Sequence, residues 1–277
     1  MFKTVFLTVG VDQPEPTLDR GVAISEALGA HLSLLVVGVA PPPPASPYGV
    51  VSNDIWAADI REGQGDVEQR VQALEQRLAR TSLSSLVGGQ YIDRGTIATL
   101  AARFARYADL TLVTPRCPGF EAMQSCVVDG ALFESGRPVL LLPEAEVSFP
   151  RVTRVMIAWD ASVQASKAVR DAIGLMQAAA EVHVVLIDPV PSFDGHGPEP
   201  GADLAAYLGR HGIGTVVHRL PKEGRETGAL LIRTCADLGV DLIVMGGFGH
   251  SRLRQRIFGG TTTTMMKTLA VPVLMAH

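Results

Sequence analysis

Val244 Met245 Gly246 Gly247 Phe248 Gly249, then a basic stretch, then Gly259 Gly260 Thr261 Thr262 Thr263 Thr264: the fold of this 277-residue chain can be worked outward from these residues. Positions 240–245 form an apolar run broken only by Asp241, the pattern of a buried strand of a parallel sheet. Glycines at the exit of such a strand let a ligand approach the backbone with no Cβ in the way. Ten residues beyond Gly249 a second glycine pair opens a segment with helical spacing, Met265, Met266 and Leu269. Unpaired amide N–H groups and the positive end of a helix dipole would therefore point at the same place. Phosphate is the anion such a cradle suits.

The composition, 47% hydrophobic and 19% charged, is that of an ordinary globular protein of about two domains. A formal net charge of -4 and a pI near 6.0 argue against nucleic acid or an anionic membrane as partner. Cys117, Cys126 and Cys235 are odd in number and form no C-x-x-C pair, which suits a reducing compartment, and a cytoplasmic location is expected. The apolar start at residues 1–9 is too short for a signal core, and no run approaches the roughly 20 apolar residues that span a bilayer. The seven histidines lack ligand spacing, so no metal site is expected.

Strand-like and helix-like segments alternate. Strands are expected at 5–11, 32–39, 87–92, 109–114 and 138–142. Helices are expected at 16–28, closed by Gly29, over most of 55–86, at 96–107 and around 127–134. Pro41 to Pro44 break the chain into a loop. Alternation of this kind implies right-handed crossovers and a parallel sheet. The proline-bounded stretch 144–151 reads as a linker between domains at 1–143 and 152–277.

The second half repeats the first. The strand at 155–159 ends at Asp160 as the strand at 5–11 ends at Asp12, 148 residues earlier. Asp109 Leu110 Thr111 Leu112 Val113 matches Asp241 Leu242 Ile243 Val244 Met245 at an offset of 132, and Pro138 matches Pro272 at 134. The shrinking offset places the extra residues of the first copy between its first and fourth strands. Aligned through the fourth strand, Gly246, Gly247, Phe248 and Gly249 face Thr114, Pro115, Arg116 and Cys117. The first copy has lost the cradle: proline removes a donor, and Thr and Cys restore Cβ atoms.

Gly246-x-x-Gly249, nine residues and Gly259, with hydroxyl residues following, resembles the universal stress protein family in its tandem form. The resemblance covers both halves, with the full motif in the second only. It implies an α/β fold of two tandem doubly wound five-stranded parallel sheets, Rossmann-like or flavodoxin-like, with strand order 3-2-1-4-5. It further implies an ATP-binding regulatory module acting in the stress response. ATP, alone or with Mg2+, would lie with its phosphates on Gly246, Gly249 and Gly259, its adenosine near Asp160, and Thr261 among the hydroxyls on phosphate. His250 and Gly260 complete the candidate set, Gly260 standing where the family has Ser or Thr. The first and fourth strands would be neighbours at the topological switch point, so Asp160 and Gly246 open onto one crevice. No Gly-Lys-Ser/Thr of a P-loop is present, and Arg252 stands where a dinucleotide fingerprint needs its third glycine.

Each residue has a plainer reading. Gly246 and Gly249 serve a tight turn equally well, and Asp160 competes with Ser162 for the cap of the next helix. His250, Arg252, Arg254 and Arg256 suit a solvated face as well as a triphosphate. Beside the nucleotide-binding module stand two alternatives, a scaffold or small-ligand binder without nucleotide and a slow ATP hydrolase. No catalytic residue is assigned, because phosphoryl transfer needs a positioned water and usually a metal. Pairing of the apolar fifth strands, 138–142 and 271–275, would make an intramolecular pseudo-dimer and admits a homodimer of whole chains.

Overall fold

A computed structural model describes residues 2–42, 53–115, 117–147, 149–193, 195–247 and 260–277. Contacts divide the chain into two units, Phe2–Ser135 and Gly136–His277. The first contains β1 (Thr4–Gly10), α1 (Glu15–Leu28), β2 (His31–Val39), α2 (Asn53–Leu78), β3 (Ser85–Ile92), α3 (Ile97–Ala105), β4 (Leu110–Val113) and α4 (Glu121–Glu134). Its sheet runs β3-β2-β1-β4 with every described pair parallel. The second contains β5 (Val139–Leu141), β6 (Arg154–Ala158), α5 (Val163–Met176), β7 (Glu181–Ile187), α6 (Ala202–Arg210), β8 (Val216–Leu220), α7 (Thr227–Leu238), β9 (Leu242–Gly246), α8 (Gly260–Lys267) and β10 (Val273–Ala276). There the order β8-β7-β6-β9-β10 is the doubly wound order 3-2-1-4-5 expected from the sequence.

The first strand of each copy is buried along almost its whole length, because helices cover both faces. On β1 the two faces are told apart by neighbours: Phe6 stacks on Phe104 of α3 at 5.6 Å, whereas Leu7 lies under Gly21 of α1. Gly29 in the left-handed region, φ 60°, closes α1 as expected, its amide bonded to Glu26 O. The long helix stops at Leu78 and does not run on to 86: Thr81 bonds back to Leu78 O through both its amide and its hydroxyl, and β3 takes Leu86 into the ladder opposite Ser33. The fourth helix begins at Glu121, six residues ahead of the expected start.

One aspartate does the same work in each copy. Asp109 Oδ2 accepts from the amides of Lys3 and Thr4 at 2.8 and 3.0 Å. Asp241 accepts from those of Thr153 and Arg154 at the same two distances. Each carboxylate satisfies amides at the start of the first strand from the start of the fourth, which ties the two strands in register.

The fifth strands pair with each other. Val139–Leu141 runs antiparallel to Val273–Met275, Leu140 opposite Leu274. By sequence β5 closes the first repeat. By its contacts it groups with the second unit, and the boundary after Ser135 therefore precedes the expected boundary at 143.

Two details of packing are open to test. In the first unit α4 crosses α3 so closely that a Cβ on Gly130 would lie 1.9 Å from Ala98 O. Backbone cannot yield as a side-chain tip can, so Gly130→Val should destabilise the protein by about 3 kcal/mol or prevent folding, read as a shift in the urea midpoint. In the second unit His183, 7% exposed, and His218 face each other across β7 and β8 with Nδ1 and Nε2 at 3.1 Å, and Glu181 lies 3.4 Å from the far nitrogen of His183. One ring nitrogen donates to the other, and charging both rings would set two imidazolium ions side by side. Burial first, and then the charge of His183, hold the pKa of His218 below its ordinary 6.5. The unfolded chain thus takes up this proton more readily, so the stability is complete above pH 6.5 and is lost as the pH falls through the folded-state value. His218→Asn should flatten the fall in melting temperature between about pH 7.5 and 5.5 relative to wild type.

Candidate functional site

The strand order makes β6 and β9 neighbours from which the chain leaves in opposite directions across the sheet, so a crevice opens at their carboxyl ends. Asp160 stands there, exposed, two residues beyond β6. Its Oδ1 accepts from the amide of Ser162 at 3.0 Å, while the Ser162 hydroxyl accepts from Ala165 N at 3.1 Å and caps α5. The competition for the cap is thus decided for Ser162, and Asp160 braces the turn that delivers it. Ala161 between them takes φ 59°, so the turn is tight.

Gly246 closes β9 against the first turn of α5. A Cβ there would lie 2.6 Å from Ala165 N and 3.0 Å from the Gln164 carbonyl carbon. This glycine is therefore required by helix–strand packing, and the packing sets the N-terminus of α5 at the mouth of the crevice. Gly247 prolongs the ladder: its amide donates to Ala276 O at 2.9 Å, and its carbonyl accepts from His277 Nδ1 at 2.8 Å. Gly249, His250 and Gly259 lie outside the described residues, as do Arg252, Arg254 and Arg256.

The other end of the motif is α8, which starts at Gly260 as its helical spacing implies and ends at Lys267, short of Leu269. Thr262 and Met265 are buried, Thr261 is half-buried, and Thr264 Oγ1 donates to Glu226 Oε1 at 3.0 Å. Two of the threonines are accordingly structural, one in the core and one fastened to the carboxylate that precedes α7. Glu226 precedes α7, and its Oε1 would lie 3.7 Å from a Cβ on Gly260. The first turn of α8 thus has a carboxylate beside it, and any bound phosphate would share this helix end with Glu226. Sequence spacing carried no sign of Glu226, which is 38 residues from Thr264.

In the first unit the corresponding crevice is filled by the protein itself. Only seven residues, 114–120, join β4 to α4, against the thirteen, 247–259, between β9 and α8. The short connection brings Phe120 onto β1: its Cε1 would lie 2.1 Å from a Cβ on Gly10. Gln124 holds the connection down, donating to Thr114 O and Pro115 O at 3.3 and 2.9 Å. Gln13, 3% exposed, accepts from Gly10 N at 2.8 Å and closes the turn beside Asp12. The loss of the glycines is thus matched by a side chain seated over the strand end.

No group of three metal-ligating side chains occurs among the described residues, and no helix there is long and apolar enough to cross a membrane. The three cysteines are free. Burial, with Asp241 adding to it, pushes the Cys235 thiol up to about 11, so it stays protonated and unreactive near neutral pH.

Residues 151–277 match the sequence pattern of the family described as the universal stress protein family. A universal stress protein of Synechocystis sp. is 28% identical over 142 residues, a match that covers 50% of this chain and 46% of that relative. The chain thus spans about half the length of this curated relative. Among solved structures, a universal stress protein of Archaeoglobus fulgidus superposes with a TM-score of 0.63 at 16% identity, covering 97% of this chain and 94% of the other. A putative universal stress protein of Pseudomonas aeruginosa gives 0.55 at 17%, with 99% and 92% covered. At such identities the likeness is one of fold, and it runs through both halves. The strand order of the second unit agrees with that fold, and residues 151–277 are similar in sequence to the universal stress protein family.

Proposed function

We propose that the second domain, 152–277, binds ATP in the crevice at the carboxyl ends of β6 and β9, and that the protein is a nucleotide-binding regulatory module of the stress response in a reducing, cytoplasmic setting. The supporting observation is that Gly246, the first glycine of the motif, ends β9 at the switch point, beside the capped N-terminus of α5 and at the same sheet edge as the exposed Asp160. In this reading the phosphates lie on the backbone of Gly246, Gly249 and Gly259, with Gly260, Thr261 and His250 at the rim, and Asp160 faces the adenosine. Mg2+, when present, accompanies the phosphates. The first domain, 1–143, with Phe120 over Gly10, serves as a nucleotide-free partner in a pseudo-dimer through the paired fifth strands. Regulation fits better than turnover, because the motif offers a bound nucleotide backbone amides and short hydroxyls, and the sequence offers no general base beside it beyond Asp160 and His250.

Binding is tested by mass spectrometry of small molecules released from freshly purified protein, followed by ATP titration. Wild type should release ATP or ADP, and Gly249→Val should release neither, a valine crowding the phosphates. Equal binding by Gly249→Val would remove the cradle assignment, and no ATP binding by folded wild type would favour the scaffold reading. Gly246 is unsuited to this test because its substitution disturbs α5 first. Glu226 offers a test of opposite sign: Glu226→Gln keeps a partner for Thr264 and removes the charge beside α8. It should tighten ATP binding by roughly two- to fivefold at low salt and by less at high salt, read by calorimetric titration.

A further inference from the structure

The cradle's approach is anchored by a residue outside the motif. β10 ends at Ala276, and Gly246 lies opposite Ala276 in the parallel ladder. The next step of the ladder is made half by backbone and half by a side chain. Gly247 N donates to Ala276 O at 2.9 Å, and the imidazole of His277 meets Gly247 O at 2.8 Å through Nδ1. A carbonyl oxygen has no proton to give, so Nδ1 carries the hydrogen and donates. The ring thereby supplies the bond that an amide further along a strand would otherwise supply. His277 is itself held, because Lys167 Nζ, one turn into α5, donates to His277 O at 2.8 Å. Lys167, His277 and Gly247 thus form a chain of contacts from α5 to the last described residue before the second motif glycine.

The repeat shows that this chain is particular to one copy. At the offset of the fifth strands His277 corresponds to Pro143, which has neither an amide N–H nor a donor side chain. At the offset of the first strands Lys167 corresponds to Asp19, which pairs instead with Arg77 of α2. Both members of the anchor are missing from the copy that lacks the glycine motif and present in the copy that has it. Packing alone does not ask for them, since the first copy builds the same strands without them.

We infer that His277 is a positioning residue for the nucleotide site: with Lys167 behind it, it fixes the carbonyl of Gly247, so that the glycine backbone meets phosphate preorganised and without an ordering cost at the moment of binding. This rests on the ATP reading above, and its test separates the two. ATP is titrated into wild type, Gly249→Val, His277→Ala, His277→Asn and Lys167→Met, and the hydrogen exchange of the Gly247 amide is followed in the same proteins without nucleotide. Asparagine is the informative replacement because its amide nitrogen falls where Nδ1 stood. His277→Ala should keep the wild-type melting temperature, weaken ATP by roughly three- to tenfold and speed Gly247 exchange by a similar factor. His277→Asn should restore both, and Lys167→Met should fall between. ATP binding in His277→Ala equal to wild type, or no recovery with Asn, would overturn the inference. If wild type itself binds no ATP, the nucleotide reading fails and exchange alone decides the anchor: faster exchange in His277→Ala upholds it, unchanged exchange removes it.

Discussion

Two aspartates hold this structure to its plan. Asp109 and Asp241 each reach from the start of a fourth strand to the amides that open a first strand, and so bind together the two strands between which the chain changes direction. A parallel pair has no hairpin to set its register, and a slip of one residue would exchange the two faces of the strand. A carboxylate accepting two backbone amides resists such a slip from one end, and the buried apolar side chains resist it along the rest. The position of the crevice at the other end of the same strands follows, since strand lengths are short and equal residues leave the sheet at equal heights. Asp160 and Gly246 stand at the same edge of the sheet because Asp241 ties their strands at the other end.

The same frame carries two different upper ends. In the second copy β9 runs out through glycine, which lets α5 come within contact of the strand, and thirteen residues pass before α8 begins. In the first, seven residues suffice, and Phe120 settles over Gly10. These are alternative ways of finishing a strand end in a doubly wound sheet. A polar crevice needs glycine and chain length, whereas a closed one needs an aromatic ring and a short connection. The copy with the short connection covers its strand end with an aromatic ring, where the other ends its strand in glycine.

Gly246 shows why a motif residue cannot be assigned a single purpose. Its missing Cβ is required by Ala165 of α5 whether or not a phosphate is present. The close approach also places a helix N-terminus, capped by Ser162, at the crevice, so the packing and the proposed phosphate site draw on one geometric fact. Thr262 and Thr264 carry a similar lesson, one serving the core and the other the carboxylate just ahead of α7, within a run that looks uniform on paper.

Much of this was legible in the chain itself. Continuous apolar runs alternating with helical spacing specify a parallel α/β sheet, because hydrophobic period and length are local properties. The duplication, the strand ends at Asp12 and Asp160, the Gly29 stop and the glycine motif are local too. Element limits were less legible: the long helix yields to β3 by residue 85 because Leu86 finds a strand partner in Ser33, which lies 53 positions away. The cap at Ser162, the carboxylate of Glu226 beside α8, the ring of Phe120 over Gly10 and the bond from His277 to Gly247 were decided only by tertiary structure. Each joins residues brought together by the winding of the sheet or by the exact turn of the backbone, and neither is encoded in spacing along the chain.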